Sequence, residues 1–181
     1  EDMFILLCQS VESAEGVELI MKQRASFARN LAEKNRLGHP AIDFVYTTES
    51  GKQGRMYGLK ADYTLLFFYN PDCHTCIEVK NAMRNSLKLK ELVGNGKMKV
   101  LTIYPDEDLA LWRDRLNELS NTWINGYDKG QVLTHEALYD LSAIPSFYLL
   151  DKNKKVLLKD ADWNEVMHFF AYPHLCGHIV P

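Results

Sequence analysis

The sequence predicts an α/β protein in which helices flank a central mixed β-sheet, with a helical extension before it. Three observations support this prediction. The continuous apolar runs at 64–69 and 98–104 are typical of strands buried on both faces. Amphipathic stretches alternate with these runs, as in α/β proteins. Two later short apolar runs, joined by the polar residues 151–154, indicate a hairpin, so we expect antiparallel strands as well as parallel ones.

The first amphipathic stretch predicts one helix from about Val11 to Leu37, ended by Gly38 and Pro40. Its apolar side chains recur at steps of three and four residues, which places them on one face. We therefore expect this helix to pack against the domain through that face. The stripe consists of Val17, Ile20, Met21, Phe27, Ala28 and Leu31.

The remaining elements follow from periodicity and from turn residues such as those at 49–52. The strand at 64–69 is followed by a helix that begins at the first of two closely spaced cysteines. In chain order we expect strands over 42–46, 64–69, 98–104, 146–150 and 155–158, with a short edge element at 123–124. We expect helices over 73–92, 135–141 and 162–172, and one more helix that begins after a cap at Pro105-Asp106.

Composition and charge exclude several classes of protein. The chain has 181 residues, of which 46% are hydrophobic and 25% charged, so it can bury a full core and is not a disordered polypeptide. The net charge of −3 argues against a nucleic-acid-binding surface. The run Leu65–Tyr69 is far too short to cross a bilayer, so we expect no integral membrane segment. The sequence opens on Glu1-Asp2, without a basic and apolar leader.

The motif Cys73-His74-Thr75-Cys76 lies where a buried strand gives way to a helix. One helical turn brings residues i and i+3 to the same side, within reach of a disulfide. The first sulfur then faces unpaired backbone N–H groups and the positive end of the helix dipole, and both favour a thiolate. We expect Cys73 to be the attacking thiol and Cys76 the resolving thiol, one turn deeper and less exposed.

Charged neighbours of the pair act in opposite directions. A protonated His74 stabilises a thiolate, whereas Asp72 is anionic and competes as the helix N-cap for the same N–H groups, so we expect only moderate stabilisation. Glu78 lies about 200° around the helix from the second cysteine and should face solvent. Lys80, four residues beyond that cysteine, lies on its side of the helix and is the sounder candidate base.

A second motif, Ile144-Pro145, precedes the strand that begins at Ser146, where a proline without an N–H is tolerated. Together the segments FFYNPDCHTC and AIPSFYLLD resemble the thioredoxin superfamily. With HPAIDFVYTTESGKQG and LKADYTLLFFY, the chain is most similar to the TlpA/ResA-type thiol–disulfide oxidoreductases. The resemblance covers roughly residues 38–170.

The resemblance implies a thioredoxin fold and disulfide exchange with protein substrates through the cysteine pair, without a cofactor or metal. It implies that Pro145 is cis beside the active-site disulfide and that Ile144 offers backbone groups to a substrate strand. His74 and Thr75 complete the expected substrate-binding residues. A redox donor protein resets the pair, and the setting is periplasmic or otherwise extracytoplasmic. We expect a helical extension over 1–38, a thioredoxin-like domain over 39–173 and a C-terminal tail over 174–181.

The chain departs from the family at three positions. The residue before the first cysteine is commonly Trp and here is Asp72. The buried acid of thioredoxin falls on Phe67, and the glutamate that follows the second cysteine in the ResA type falls on Val79. Both usual proton acceptors for the buried thiol are therefore replaced, so another group or water must accept its proton, or resolution is slow.

Three other interpretations stay open at this point. A redox-inactive binding module would keep the fold without the chemistry. A peroxiredoxin would need a cysteine at position 78, where the chain has Glu78, although Pro71 and Thr75 match the first half of that motif. A zinc site would combine Cys73 and Cys76 with the tail residues His174, Cys176 and His178. Separately, Cys8 and Cys176 are candidates for a second disulfide.

Overall fold

The computed structural model describes residues 1–172. Within them, seven strands form one mixed sheet. The strands are β1 (Val45–Thr48), β2 (Gln53–Arg55), β3 (Tyr63–Phe68), β4 (Met98–Tyr104), β5 (Ile124–Tyr127), β6 (Ser146–Asp151) and β7 (Val156–Ala161). Their order across the sheet is β2-β1-β5-β4-β3-β6-β7.

Helices precede the sheet and alternate with its strands. They are α1 (Asp2–Ser13), α2 (Leu19–Glu33), α3 (His74–Asn85), α4 (Leu87–Gly94), α5 (Leu109–Asp114), α6 (Val132–His135) and α7 (Trp163–Ala171), with 3-10 turns at Met56–Gly58 and Leu116–Glu118. None of the helices in residues 1–172 has the length and apolar character needed to cross a membrane.

Strand β3 lies in the interior of the sheet, between β4 and β6, and it is apolar on both faces. It pairs in parallel with β4 and antiparallel with β6, with Leu65 opposite Val100 on one side and Leu149 on the other. Leu65 and Phe67 point into the core that contains α3, whereas Leu66 and Phe68 point into the core on the opposite face. The predicted mixed α/β sheet is confirmed, and the two buried runs are strands as expected.

The prediction of one helix over Val11–Leu37 is wrong. The chain forms two helices, α1 and α2, and the break between them contains Gly16, whose φ of +76° suits a residue without a side chain. The predicted apolar stripe is also not buried, since Ile20, Met21 and Phe27 are each about half exposed. The two helices pack on each other and leave that face of α2 open.

Two further boundaries differ for local reasons. The helix predicted over 73–92 is divided at Ser86, which ends α3 and whose hydroxyl accepts a hydrogen bond from the Leu89 N–H to begin α4. Helix α5 is capped by Asp108 rather than by Asp106, through a 3.0 Å bond from the Leu111 N–H.

The predicted positions of strands and helices differ from the observed ones where the apolar pattern spans only a few residues. The first strand begins at Val45 instead of residue 42, and β2 was not predicted. The element expected at 123–124 as an edge is β5, which lies between β1 and β4 inside the sheet. Helix α6 precedes the predicted position 135–141. Strands β6 and β7 form the expected hairpin, and α7 begins after Asp162 as expected.

Candidate functional site

The two cysteines lie where β3 gives way to α3. Cys73 is the N-cap of α3 with extended backbone, and its sulfur accepts a hydrogen bond from the Cys76 N–H at 3.4 Å. The first sulfur therefore sits at the positive end of the helix, as predicted. The prediction that Asp72 is the N-cap is wrong, because its exposed carboxylate points toward Arg115 Nη2, 4.0 Å away.

The cysteines differ in exposure. Cys73 is partly exposed and Cys76 is only 1% exposed, and both are free thiols in this structure. Burial raises the pKa of Cys76 to about 12, the neighbouring Cys73 adds to that rise, and the backbone of Asn70 opposes it. Cys73 is thus the sulfur that a partner can reach, whereas Cys76 must lose its proton inside the protein.

The loop before β6 completes the site. The end of β3 and the start of β6 are antiparallel neighbours, with Phe68 opposite Ser146. Residues just after β3 and residues just before β6 therefore meet at the same end of the sheet. The Cys73 thiol donates to the Ile144 carbonyl oxygen over 3.8 Å, a distance compatible with sulfur. The Ile144–Pro145 peptide bond is cis. Residues 71 positions apart therefore share one site.

The residues between the cysteines face outward. The His74 side chain is 87% exposed, and its Nε2 lies 3.3 Å from Oε1 of Glu78, which is 66% exposed. The expectation that Glu78 faces solvent is thereby confirmed. Thr75 is also exposed. Neither His74 nor Thr75 forms a hydrogen bond with the Ile144–Pro145 loop, although both belong to the open surface beside Cys73.

On the inner side of α3, Lys80 is buried and forms an ion pair with Glu118. Arg115 Nη1 donates to the other oxygen of Glu118 at 2.9 Å. These contacts, chiefly that with Lys80, lower the pKa of Glu118. Lys80 was a candidate from its spacing, but Glu118 was not, because it lies 38 positions away in a 3-10 turn and carries no spacing signal of its own.

Two hypotheses based on the tail concern residues outside the described range. Among residues 1–172, the structure brings no three His, Cys, Asp or Glu side chains together in a way that could hold a metal ion. The zinc alternative also involves His174, Cys176 and His178, which the structure does not describe. The same applies to the predicted Cys8–Cys176 disulfide, of which only Cys8, buried in α1, is described.

Comparison with known proteins agrees with this geometry. No protein-family model matches the chain. The chain is 28% identical over 127 residues to the thiol-disulfide oxidoreductase ResA of Bacillus thuringiensis, a match that covers 69% of each chain.

Solved structures extend the comparison. A thioredoxin-like protein from Bacteroides caccae superimposes with a TM-score of 0.87 and 44% identity over 94% of this chain, which spans 61% of that protein's length. The C-terminal domain of an uncharacterized protein from Bacteroides fragilis superimposes with a TM-score of 0.74 and 48% identity, over 76% of this chain and 98% of that domain. The chain therefore belongs to the thioredoxin superfamily and is similar to its ResA- and TlpA-like members.

Proposed function

We propose that the protein is a thiol–disulfide oxidoreductase that exchanges disulfides with protein substrates through Cys73 and Cys76. One observation carries this proposal. A partly exposed sulfur caps the N-terminus of α3, 3.4 Å from the Cys76 N–H and 3.8 Å from the Ile144 carbonyl oxygen. A sulfur in this position faces the positive end of the helix dipole, has a second thiol one turn away and lies beside a backbone carbonyl.

The reaction is a pair of thiolate displacements. The Cys73 thiolate attacks one sulfur of the substrate disulfide, and the other substrate sulfur leaves as a thiolate. The resulting mixed disulfide joins Cys73 to the substrate. The Cys76 thiolate then attacks Cys73, the bond to the substrate breaks, and the second substrate sulfur leaves reduced. The Cys73–Cys76 disulfide is finally reduced by an external dithiol donor, and the cycle needs no bound cofactor.

Substrate recognition in this proposal uses the loop before β6. Ile144 offers its carbonyl beside the reacting sulfur, and Pro145 has no N–H that would compete for a partner. An extended substrate segment that contains the target cysteine would lie there edge to edge, as an added strand. The exposed side chains of His74 and Thr75 would line the opposite side of that segment.

The proposed setting and partners follow from the resemblance to ResA. We assign the substrates to proteins with cysteine pairs in an extracytoplasmic compartment, because disulfides persist in oxidising surroundings. A membrane or envelope dithiol protein would supply the reducing electrons. Residues 1–38, which include α1 and α2, are proposed as an extension in front of a catalytic domain over 39–173.

Insulin reduction by dithiothreitol, followed by turbidity, tests the proposal. We expect the protein to accelerate precipitation of the insulin B chain and Cys73→Ser to reduce the rate to the uncatalysed level. Cys8→Ala is the matched control, because it removes a buried cysteine far along the chain from the motif and should keep the wild-type rate. Absence of activity in the wild-type protein, with no further loss in Cys73→Ser, would favour the redox-inactive binding module. A wild-type rate retained in Cys73→Ser would contradict the role proposed for Cys73.

A further inference from the structure

A narrow cavity lies between Cys76 and charged residues that the proposed reaction has not yet used. Cys76 and Lys80 line this cavity together with Tyr69 and Arg115, and it has no room for a water molecule. Cys76 and Lys80 are one helical turn apart on the buried face of α3 and are 1% and 5% exposed. The buried lysine and the buried thiol that must be deprotonated therefore lie on one side of α3, one helical turn apart.

The position of Lys80 is not that of an ordinary surface lysine. Lysine side chains usually extend their ammonium groups into water, since burying an isolated charge is costly. Here Lys80 turns inward and forms its ion pair with Glu118, whose carboxylate also accepts from Arg115. Arg84 Nη1 donates to the Glu118 backbone oxygen at 3.0 Å, which fixes the turn that carries the carboxylate.

Glu118 extends from this buried pair to the surface. Its side chain is 31% exposed, against 7% for Lys80, so a proton that reaches the carboxylate can leave to water. Its lowered pKa, caused first by Lys80 and then by Arg115, keeps the carboxylate ionised, so its oxygens carry no proton when the resolving step begins. The pair thus links the cavity beside Cys76 to solvent.

We propose that Lys80 and Glu118 form the proton relay of the resolving cysteine, in place of the acidic residues whose positions hold Phe67 and Val79. This inference rests on the disulfide-exchange function proposed above. In the resolving step Lys80 gives one of its protons to Glu118 and takes the proton of the Cys76 thiol in its place. Negative charge moves from the carboxylate to the sulfur, while the ammonium between them keeps its charge.

The step then closes the disulfide. The Cys76 thiolate attacks Cys73 in the mixed disulfide, a new sulfur–sulfur bond forms, and the bond from Cys73 to the substrate breaks. The substrate sulfur leaves with the electron pair of that bond. Glu118 releases its proton to water, and the Lys80–Glu118 ion pair is restored. No other oxidant or reductant takes part.

Other groups around the cavity do not supply an acceptor. Tyr69 is 3% exposed, and its hydroxyl has no hydrogen-bond partner among residues 1–172, but burial raises the pKa of Tyr69, so it stays protonated and can only donate to a thiolate. Arg115 is a permanent cation, and Asp72, 4.0 Å from Arg115, lies on the surface. The His74–Glu78 pair lies on the solvent face of α3.

Reaction of the reduced protein with one equivalent of the aromatic disulfide DTNB, followed by stopped-flow absorbance, separates the two cysteines. Attack by Cys73 releases the first thionitrobenzoate anion. Attack by Cys76 on the resulting adduct releases the second. The same reaction of Cys73→Ser gives the signal of the remaining cysteines, which is subtracted. The variants are Lys80→Met and Glu118→Gln, and Lys88→Met is the matched control because it breaks the surface Lys88–Glu91 pair.

We expect Lys80→Met and Glu118→Gln to slow the second release about 100-fold at neutral pH, the size typical of lost acid–base catalysis, and to leave the first release unchanged. In both variants the slow rate should rise about tenfold per pH unit, because hydroxide must then remove the proton. The wild-type rate should depend less steeply on pH. Lys88→Met should behave as wild type.

A second release that stays at the wild-type rate in Lys80→Met, or that is equal or faster in Glu118→Gln, overturns the relay. If either single variant fails to fold, the double variant Lys80→Met/Glu118→Gln removes both charges and leaves no unpaired one. It should be slowed no more than a single variant, since the two residues act as one unit. Failure of the first release, or of disulfide closure in the wild-type protein, would instead contradict the proposed function.

Discussion

The central sheet and the N-terminal hairpin of α1 and α2 are both rich in apolar residues, yet they use them differently. In β3 the five residues from Thr64 to Phe68 are all buried. Helix α2 has no buried residue, and Leu19 and Phe27 are 71% and 58% exposed. An apolar pattern thus predicts that an element forms, but its burial depends on a second layer that covers it.

Polar contacts hold the hairpin in place. Arg29 donates to Glu12 across the two helices, at 2.8 Å, and to Glu33 within α2. Lys159 of β7 donates to the backbone oxygens of Ala32 and Lys34, which end α2. The hairpin is therefore tied to the sheet edge by side-chain hydrogen bonds, whereas β3 and β6 combine backbone pairing with the packing of apolar side chains on both faces.

The largest effect expected from this difference is on stability. Leu149→Ala removes a fully buried side chain of β6 and should lower the free energy of unfolding by about 2–5 kcal/mol, since it loses apolar burial and leaves a cavity. Leu19→Ala, on the open face of α2, should change it by less than about 0.5 kcal/mol. Urea unfolding of both variants measures the difference. An equal loss at both sites would mean that the open face of α2 is covered in solution.

A smaller effect is expected on the pH dependence of stability, and it comes from Cys76, which lies in the core between α3 and the sheet. The pKa of Cys76 is raised from 9.0 to about 12 in the folded protein, so the folded state keeps a proton that the unfolded state releases. Its contribution is fully present below the unfolded pKa and is lost as pH rises toward the folded one. Above about pH 9 the stability of the reduced protein should fall by up to about 1.4 kcal/mol per pH unit more than that of Cys76→Ala.

Unfolding of the two reduced proteins in urea between about pH 8 and pH 10 gives this comparison. The buried tyrosines are present in both proteins, so their titration largely cancels in the difference. Parallel pH profiles for wild type and Cys76→Ala would show that the Cys76 thiol does not differ between the folded and unfolded states.

Long, strongly patterned elements of the fold were predictable from the sequence. The runs at 64–69 and 98–104 are mostly apolar, and both predicted strands lie within a residue of β3 and β4. The hairpin Ser146–Ala161 also carries its own turn. Short elements such as β2 were missed, because three residues whose burial is set by a neighbouring strand have no period of their own. The break at Gly16 was missed because helical spacing continues on both sides of it.

The site was predictable where its chemistry is local. Four adjacent residues contain the Cys73–Cys76 spacing, and the flanking sequence shows that they lie between a strand and a helix. Proximity of Cys73 to Ile144 followed from resemblance to a family rather than from spacing. The Lys80–Glu118 pair required tertiary structure, because nothing in the sequence of a surface turn indicates that its glutamate reaches a buried lysine on another helix.

The central claim is that Cys73 and Cys76 form a reversible redox pair. Equilibration of the protein in glutathione buffers of graded ratio, followed by alkylation and mass spectrometry of the peptide that contains both residues, measures it directly. The account predicts interconversion of dithiol and disulfide with one midpoint, between about −270 and −120 mV as for related proteins. A peptide that stays fully alkylated under every oxidising ratio would contradict the claim.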